Sequence, residues 1–194
     1  MKHGLLIILS GPSGVGKGTI RKEVTKNHHL DLVYSISMTT RPKRPYEVEG
    51  NDYFFVTNEQ FDQALKQGEL LESAEFVGNR YGTPKKYVLS QLKQAHHVIL
   101  EIVIEGARQV IQSMQGIPLL TIFLMPPQFS DLEKRIRNRS TEPEPIIQER
   151  LEKAKREMSM HNQYQHIVIN DNVHRASEEI KQLILQKIRL LEKK

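Results

Sequence analysis

Uninterrupted apolar runs recur along this chain: GLLIILS (4–10), HVILEIVI (97–104), PLLTIFLM (118–125) and HIVIN (166–170). A short continuous apolar run bounded by turn residues is the mark of a strand buried on both faces. Between these runs the polar positions return and the spacing changes. Residues 17–27 carry helix-compatible side chains, and Leu183, Ile184, Ile188 and Leu191 after Ile180 mark one face of a closing helix. Strands alternating with helices predict an α/β fold with a parallel sheet covered by helices on both faces.

Residues from about 35 to 95 break this rhythm. YSIS (34–37) and YFFV suggest short strands, and RPKRPYEVEGND (41–52) reads as loop. TNEQFDQALKQG predicts a helix started by Thr57 or Asn58 and stopped near Gly68. TPKKYVLSQLKQA predicts another, with Thr83 as N-cap and Pro84 at the first helical position. This stretch is a small mixed α+β insertion between the first helix and the second core strand. The remainder, 1–34 and 96–194, is core. No internal repeat or low-complexity segment interrupts it.

Composition narrows the picture only slightly. A chain of 194 residues fits a single domain. With no cysteine there is no disulfide framework and no thiolate metal site, as suits a reducing cytoplasm. No apolar stretch is long enough to span a bilayer. The opening run MKHGLLIILSG is short for a signal peptide and lacks a small-residue cleavage site. A net charge of +5 is compatible with an anionic partner and names none.

The candidate chemistry begins at SGPSGVGKGT (10–19). Gly11, Gly16 and Lys17 have the spacing of a loop whose backbone N–H groups converge on phosphate at a helix N-terminus. Its surroundings agree: a buried strand precedes it and a helix follows. The hydroxyl that normally comes next to the lysine is replaced by Gly18. Thr19 offers one a residue late, and magnesium readily keeps waters in place of protein ligands. The expected fold is therefore a P-loop NTPase-type sheet, with Gly11, Pro12, Ser13, Gly14, Val15, Gly16, Lys17, Gly18 and Thr19 holding a nucleoside triphosphate.

With the further segments SISMTTRPKRPYEVEGNDYFF, LLESAEFVGNRYGTP, LEIVIEGA, EKRIRNR and VIND, the chain resembles the guanylate kinases over nearly its whole length. The resemblance implies phosphoryl transfer from ATP to GMP, with Mg2+ as cofactor and ATP and GMP as small-molecule partners. Nucleic acid and membrane partners are not expected, and a monomer or homodimer is. Glu72, Ser37 and Thr83 match the guanine-reading positions. That choice is chemically sensible, because guanine offers adjacent N1 and N2 donors to a carboxylate and an O6 acceptor to a hydroxyl. Arg41, Arg44, Tyr53 and Tyr81 fall at the GMP-phosphate positions, where guanidinium forks and phenols suit an anion. On the residues alone, Arg41 and Arg44 read as solvated loop charges and the tyrosines as core.

Arg135, Arg139 and Arg150 match the arginines of a helical lid at about 135–150. With Lys17 they are the expected catalytic groups, since this reaction needs positive charge rather than a base. Glu133, Glu149 and Glu152 nearby also fit an ordinary ion-paired helix surface. Asn170 lies where the family contacts adenine, or else caps a helix. Glu101, at the end of its strand, is the expected magnesium-side carboxylate. Two residues on, the family normally has another acid, and here stands Val103; Glu105 is positioned in sequence to compensate. Val103 keeps open a same-scaffold kinase for another phosphorylated acceptor, such as a ribose bisphosphate. A non-catalytic interaction module is the third reading, opposed by the intact Lys17.

Overall fold

The structure is a computed structural model describing residues 3–26, 28–139 and 143–193, apart from the side chains of His28 and Arg139. In chain order the elements begin with β1 (Leu6–Ser10), α1 (Lys17–Thr25), β2 (Leu32–Tyr34), β3 (Met38–Thr39), β4 (Phe54–Phe55), α2 (Asn58–Lys66), β5 (Leu70–Phe76) and β6 (Asn79–Pro84). They continue with α3 (Lys85–Lys93), β7 (His97–Glu101), α4 (Ile104–Ser113), β8 (Leu119–Met125), α5 (Phe129–Arg139), α6 (Glu144–Met158), β9 (His166–Ile169) and α7 (Val173–Glu192). The architecture is α/β, with a parallel central sheet flanked by helices. Two compact units are present, Met1–Leu6 with Asp31–Leu119 and Ile7–Leu30 with Leu120–Lys194.

In the first unit β2 pairs in parallel with β7, Val33 opposite Val98. A separate four-stranded sheet, β4-β3-β6-β5, fills the region between them. It is mixed: β3 runs parallel to β4 and antiparallel to β6, and β5 and β6 form an antiparallel hairpin. Helices α2, α3 and α4 pack on β5, burying Phe61, Ala64, Val88 and Leu92. Thr57 starts α2 as expected, in a capping box with Gln60.

In the second unit β1, β8 and β9 stand in that order, with β8 and β9 parallel. Leu6 through Leu9 are wholly buried, as are Ile122, Phe123 and Leu124, which explains their unbroken apolar sequence. Helix α1 packs on α7 through residues such as Ile20, Val24, Ile180 and Ile184, all wholly buried. No helix among the described residues is long and apolar enough to cross a membrane.

Four local expectations need correction. Ser35–Ser37 is not strand; the chain leaves β2 at Tyr34 and re-enters a sheet at Met38. The run 97–104 stops being strand at Glu101 and α4 begins at Ile104; Ile102 and Ile104 are both buried, so the sequence stays apolar across the change. Thr83 is not a helix cap: it belongs to β6, and Pro84 precedes α3. The closing helix starts at Val173, seven residues before Ile180, where Asn172 accepts from the Arg175 N–H at 3.1 Å.

Candidate functional site

Strand β1 delivers a glycine-rich turn directly to the first residue of α1. Val15 is buried and fixes the turn. Gly16 sits at φ 98°, ψ 25°, a left-handed conformation, and a Cβ there would come 2.7 Å from Asn170 Nδ2. No side chain caps α1 and no acid stands in its first turn. Its leading N–H groups therefore favour an anion. Helices α2 and α7, by contrast, have Thr57 and Asn172 as caps.

Lys17 Nζ donates to the Gly11 carbonyl at 2.7 Å and to that of Pro12 at 3.1 Å. The loop is braced from three distant segments. Glu157 of α6, buried, accepts from the Ser13 N–H at 3.1 Å. Asn170 follows β9 and is buried, and its side-chain amide donates to the Val15 carbonyl at 2.7 Å. Arg135 of α5 donates to the same carbonyl at 3.2 Å and to that of Asn170 at 3.1 Å. Asn170 caps no helix, since Asn172 does. Thr19 is exposed in the first turn of α1.

Arg150 is half-buried on α6. The side chain of Arg139 lies outside the described residues. Arg137 pairs with Glu133 of its own helix at 2.9 Å and ties α5 to α6 through Glu144 at 2.8 Å.

The other unit holds the carboxylate. Glu72 on β5 is only 4% exposed, and its Oε1 accepts from Thr83 Oγ1 at 2.6 Å. Burial pushes the carboxyl up to about 7, against the opposing pull of hydrogen bonds from Thr83. A buried acid poised near neutrality is a mark of functional sites. While Glu72 is ionised, the Thr83 proton is committed to it and only the hydroxyl's lone pairs remain for a ligand. Ser37 is buried just before β3, and its carbonyl accepts from the Phe54 N–H at 2.9 Å.

Arg41, Tyr53 and Tyr81 are gathered in the same unit. Arg41 Cζ stands 5.4 Å from the Tyr53 ring centroid, and Tyr53 meets Tyr81 edge-on at 5.9 Å. Arg41 also pairs with Glu47 at 2.6 Å, and the second oxygen of Glu47 accepts the Arg44 backbone N–H at 2.8 Å. Burial raises the Glu47 carboxyl, but these bonds more than offset that and hold it below the usual range. Glu47 thus sets the arginine loop. The signal for it in the sequence is the first acid after the basic run RPKR, three residues beyond Arg44. The Arg44 side chain is exposed, 3.3 Å from the Tyr46 hydroxyl. Burial, and then the charge of Glu101, pushes the Tyr53 phenol up to about 12, so it stays a donor at neutral pH. Glu101 closes β7, half-buried. Glu105 is exposed and paired with Arg108 at 2.9 Å.

No group of three His, Cys, Asp or Glu side chains suited to a metal occurs among the described residues. A single oxygen donor such as the Glu101 carboxylate suits a magnesium ion that keeps most of its shell as phosphate and water.

A guanylate kinase family profile matches residues 3–187. The guanylate kinase of Mycoplasma capricolum is 51% identical over 180 residues, 93% of this chain and 60% of that protein. That of Streptococcus agalactiae is 48% identical over 186 residues, 94% of this chain and 87% of that protein. The chain thus spans about 60% of the length of the Mycoplasma relative and most of the streptococcal one. A crystal structure of guanylate kinase from Anaplasma phagocytophilum superposes with a TM-score of 0.80 at 28% identity, covering 96% of this chain and 87% of that one.

Proposed function

The chain belongs to the guanylate kinase family, and from that premise we propose that it transfers the γ-phosphoryl group of ATP to GMP, yielding ADP and GDP. The observation that carries the acceptor assignment is the buried Glu72 carboxylate with its Thr83 partner. A buried acid is costly unless a ligand or partner uses it, and guanine is the base that presents two adjacent donors to one. Glu72 accepts N1–H and N2–H, Ser37 donates to O6, and Thr83, its proton held by Glu72, accepts.

Arg41, Arg44, Tyr53 and Tyr81 hold the GMP phosphate. On the donor side the loop from Gly11 to Thr19 wraps the ATP phosphates, and Lys17 exchanges its carbonyl partners for the outer ones. A GMP phosphate oxygen forms the new bond to the γ-phosphorus while the bond to the β,γ-bridging oxygen breaks. Lys17, Arg135, Arg139 and Arg150 offset the negative charge spread over the transferring group. Glu101 would hold a magnesium ion, which would supply further neutralisation of the phosphate charge. Residues about 35–95 serve as the acceptor-binding insertion and about 135–150 as the lid that excludes water. The reaction consumes soluble nucleotides, which suits a cytoplasmic enzyme acting as a monomer or homodimer.

The test is 31P NMR of the chain with magnesium, ATP and GMP. ADP and GDP signals should grow together in equal amounts; ADP without GDP would mean that another acceptor, or water, takes the phosphate.

Two further outcomes follow. Guanine needs Glu72 ionised, and its carboxyl titrates at about 7. So kcat/KM for GMP should fall about tenfold per pH unit below that value, while KM for ATP stays level; a flat GMP profile between pH 5.5 and 8 contradicts this role. Asn170 braces the loop at Val15. Asn170→Ala should therefore raise KM for ATP and for GTP as donors alike, about tenfold. A loss confined to ATP would instead assign Asn170 to adenine.

A further inference from the structure

Glu72 stands at an irregular point of its strand. The pairing of β5 with β6 shifts register between Leu70 and Ser73, so the ladder that would fix the backbone is interrupted where the carboxylate sits. β5 is also an edge strand of its sheet. On that open edge, directly after Glu72, one side chain of α4 stands in for a neighbouring strand. The Gln109 amide accepts from the Ser73 N–H at 3.1 Å and donates to the Ser73 carbonyl at 2.7 Å. A primary amide offers the same donor–acceptor pair as a peptide group, and here it caps the strand edge beside Glu72 as one residue of a neighbouring strand would.

One turn earlier, at helical spacing i−3 from Gln109, α4 has Gly106. A methyl there would overlap Glu72 Oε2 and come 2.9 Å from its Cδ. The same face of α4 therefore grips the backbone after Glu72 and leaves the space that its carboxylate fills.

We propose that Gln109 is a positioning residue for guanine recognition, its amide clamping the Ser73 peptide so that Glu72, admitted by Gly106, is held where it receives the base. This rests on Glu72 reading guanine. Gln109 touches no substrate in this account; it acts through Glu72 alone.

The experiment compares the chain with Gln109→Met, which keeps the length and apolar stem and loses both bonds. KM for GMP should rise about tenfold, with kcat and KM for ATP within about twofold and the preference for GMP over AMP reduced. Gln109→Glu keeps the acceptor and loses the donor, and should fall between; it carries the test on its own if Gln109→Met does not fold. Gly106→Ala should raise KM for GMP in the same selective way, although alanine is the better helix former. The decisive arm is the Glu72→Gln background, where Gln109→Met should have no further effect on KM for GMP, since coupled residues are not additive. Unchanged GMP kinetics in folded Gln109 variants, parallel losses toward ATP and GMP, or full additivity with Glu72→Gln would each overturn the inference. If Glu72→Gln alone leaves guanine preference intact, it is the reading of Glu72 that fails, and the two failures are thereby told apart.

Discussion

Glu72→Gln lowers kcat/KM for GMP by about 10⁴-fold and that for AMP far less: this is the largest effect expected of any single substitution. Size and shape are kept, but the oxygen pair becomes one acceptor and one amide donor, and the donor then faces a guanine N–H. Sites built on buried, matched hydrogen bonds reject a mismatch by factors of this order, because unpaired polar groups remain behind. The same change should stabilise the ligand-free chain at pH 8. A carboxyl raised from 4.5 to about 7 by folding contributes fully below the lower value and loses its contribution as pH climbs through the upper one. Above both, the ionised form costs about 3 kcal/mol, from roughly 1.4 kcal/mol per pKa unit. Glutamine, never ionised, escapes that cost. Thermal melts at pH 8 should show the variant more stable and nearly inactive, and the difference should vanish toward pH 5. A variant that is both inactive and less stable at pH 8 would point to misfolding instead.

Lys17→Ala should cut kcat by about 10³-fold, the upper range for removing one preorganised charge from a transferring group. The residue opens α1, and its ammonium rests on the Gly11 and Pro12 carbonyls at 2.7 and 3.1 Å. Those contacts hold the ammonium at the loop, within reach of what the loop binds. Alanine suits the helix, so the fold should survive. Steady-state rates at saturating ATP and GMP give the measure, with circular dichroism confirming the helices; unaltered turnover would remove the lysine from the mechanism.

Much of this was legible in the chain because the relevant signals are local. Strand, glycine turn and helix follow one another within residues 4–27, and the loop could be placed without any long-range contact. Thr57 and Gln60 announce α2 by their spacing. Other features depend on contacts that no window of sequence contains. Glu157 and Asn170 meet the loop from 144 and 155 residues away, and Gln109 reaches Ser73 across 36. The β5–β6 hairpin has no local sequence signal, because its turn runs through Val77 at φ 49° and Gly78 at φ 68°, where Asn-Gly is the usual signal and a β-branched residue is disfavoured. Thr83 beside a proline imitates a helix start, yet its hydroxyl is spent on Glu72. Glu72 itself, between Leu71 and Ser73 in LLESAEF, has no local signal of burial; the hairpin and α4 enclose it.

Val103 bears most directly on the choice of acceptor. Half-buried ahead of α4, it leaves Glu72 as the principal carboxylate for the base. Initial rates with magnesium and ATP against GMP, dGMP, AMP, UMP and a ribose bisphosphate test the claim most directly. GMP and dGMP should exceed AMP, UMP and the sugar phosphate in kcat/KM by at least about 10³-fold. A rate for AMP or for the ribose bisphosphate equal to that for GMP would contradict it.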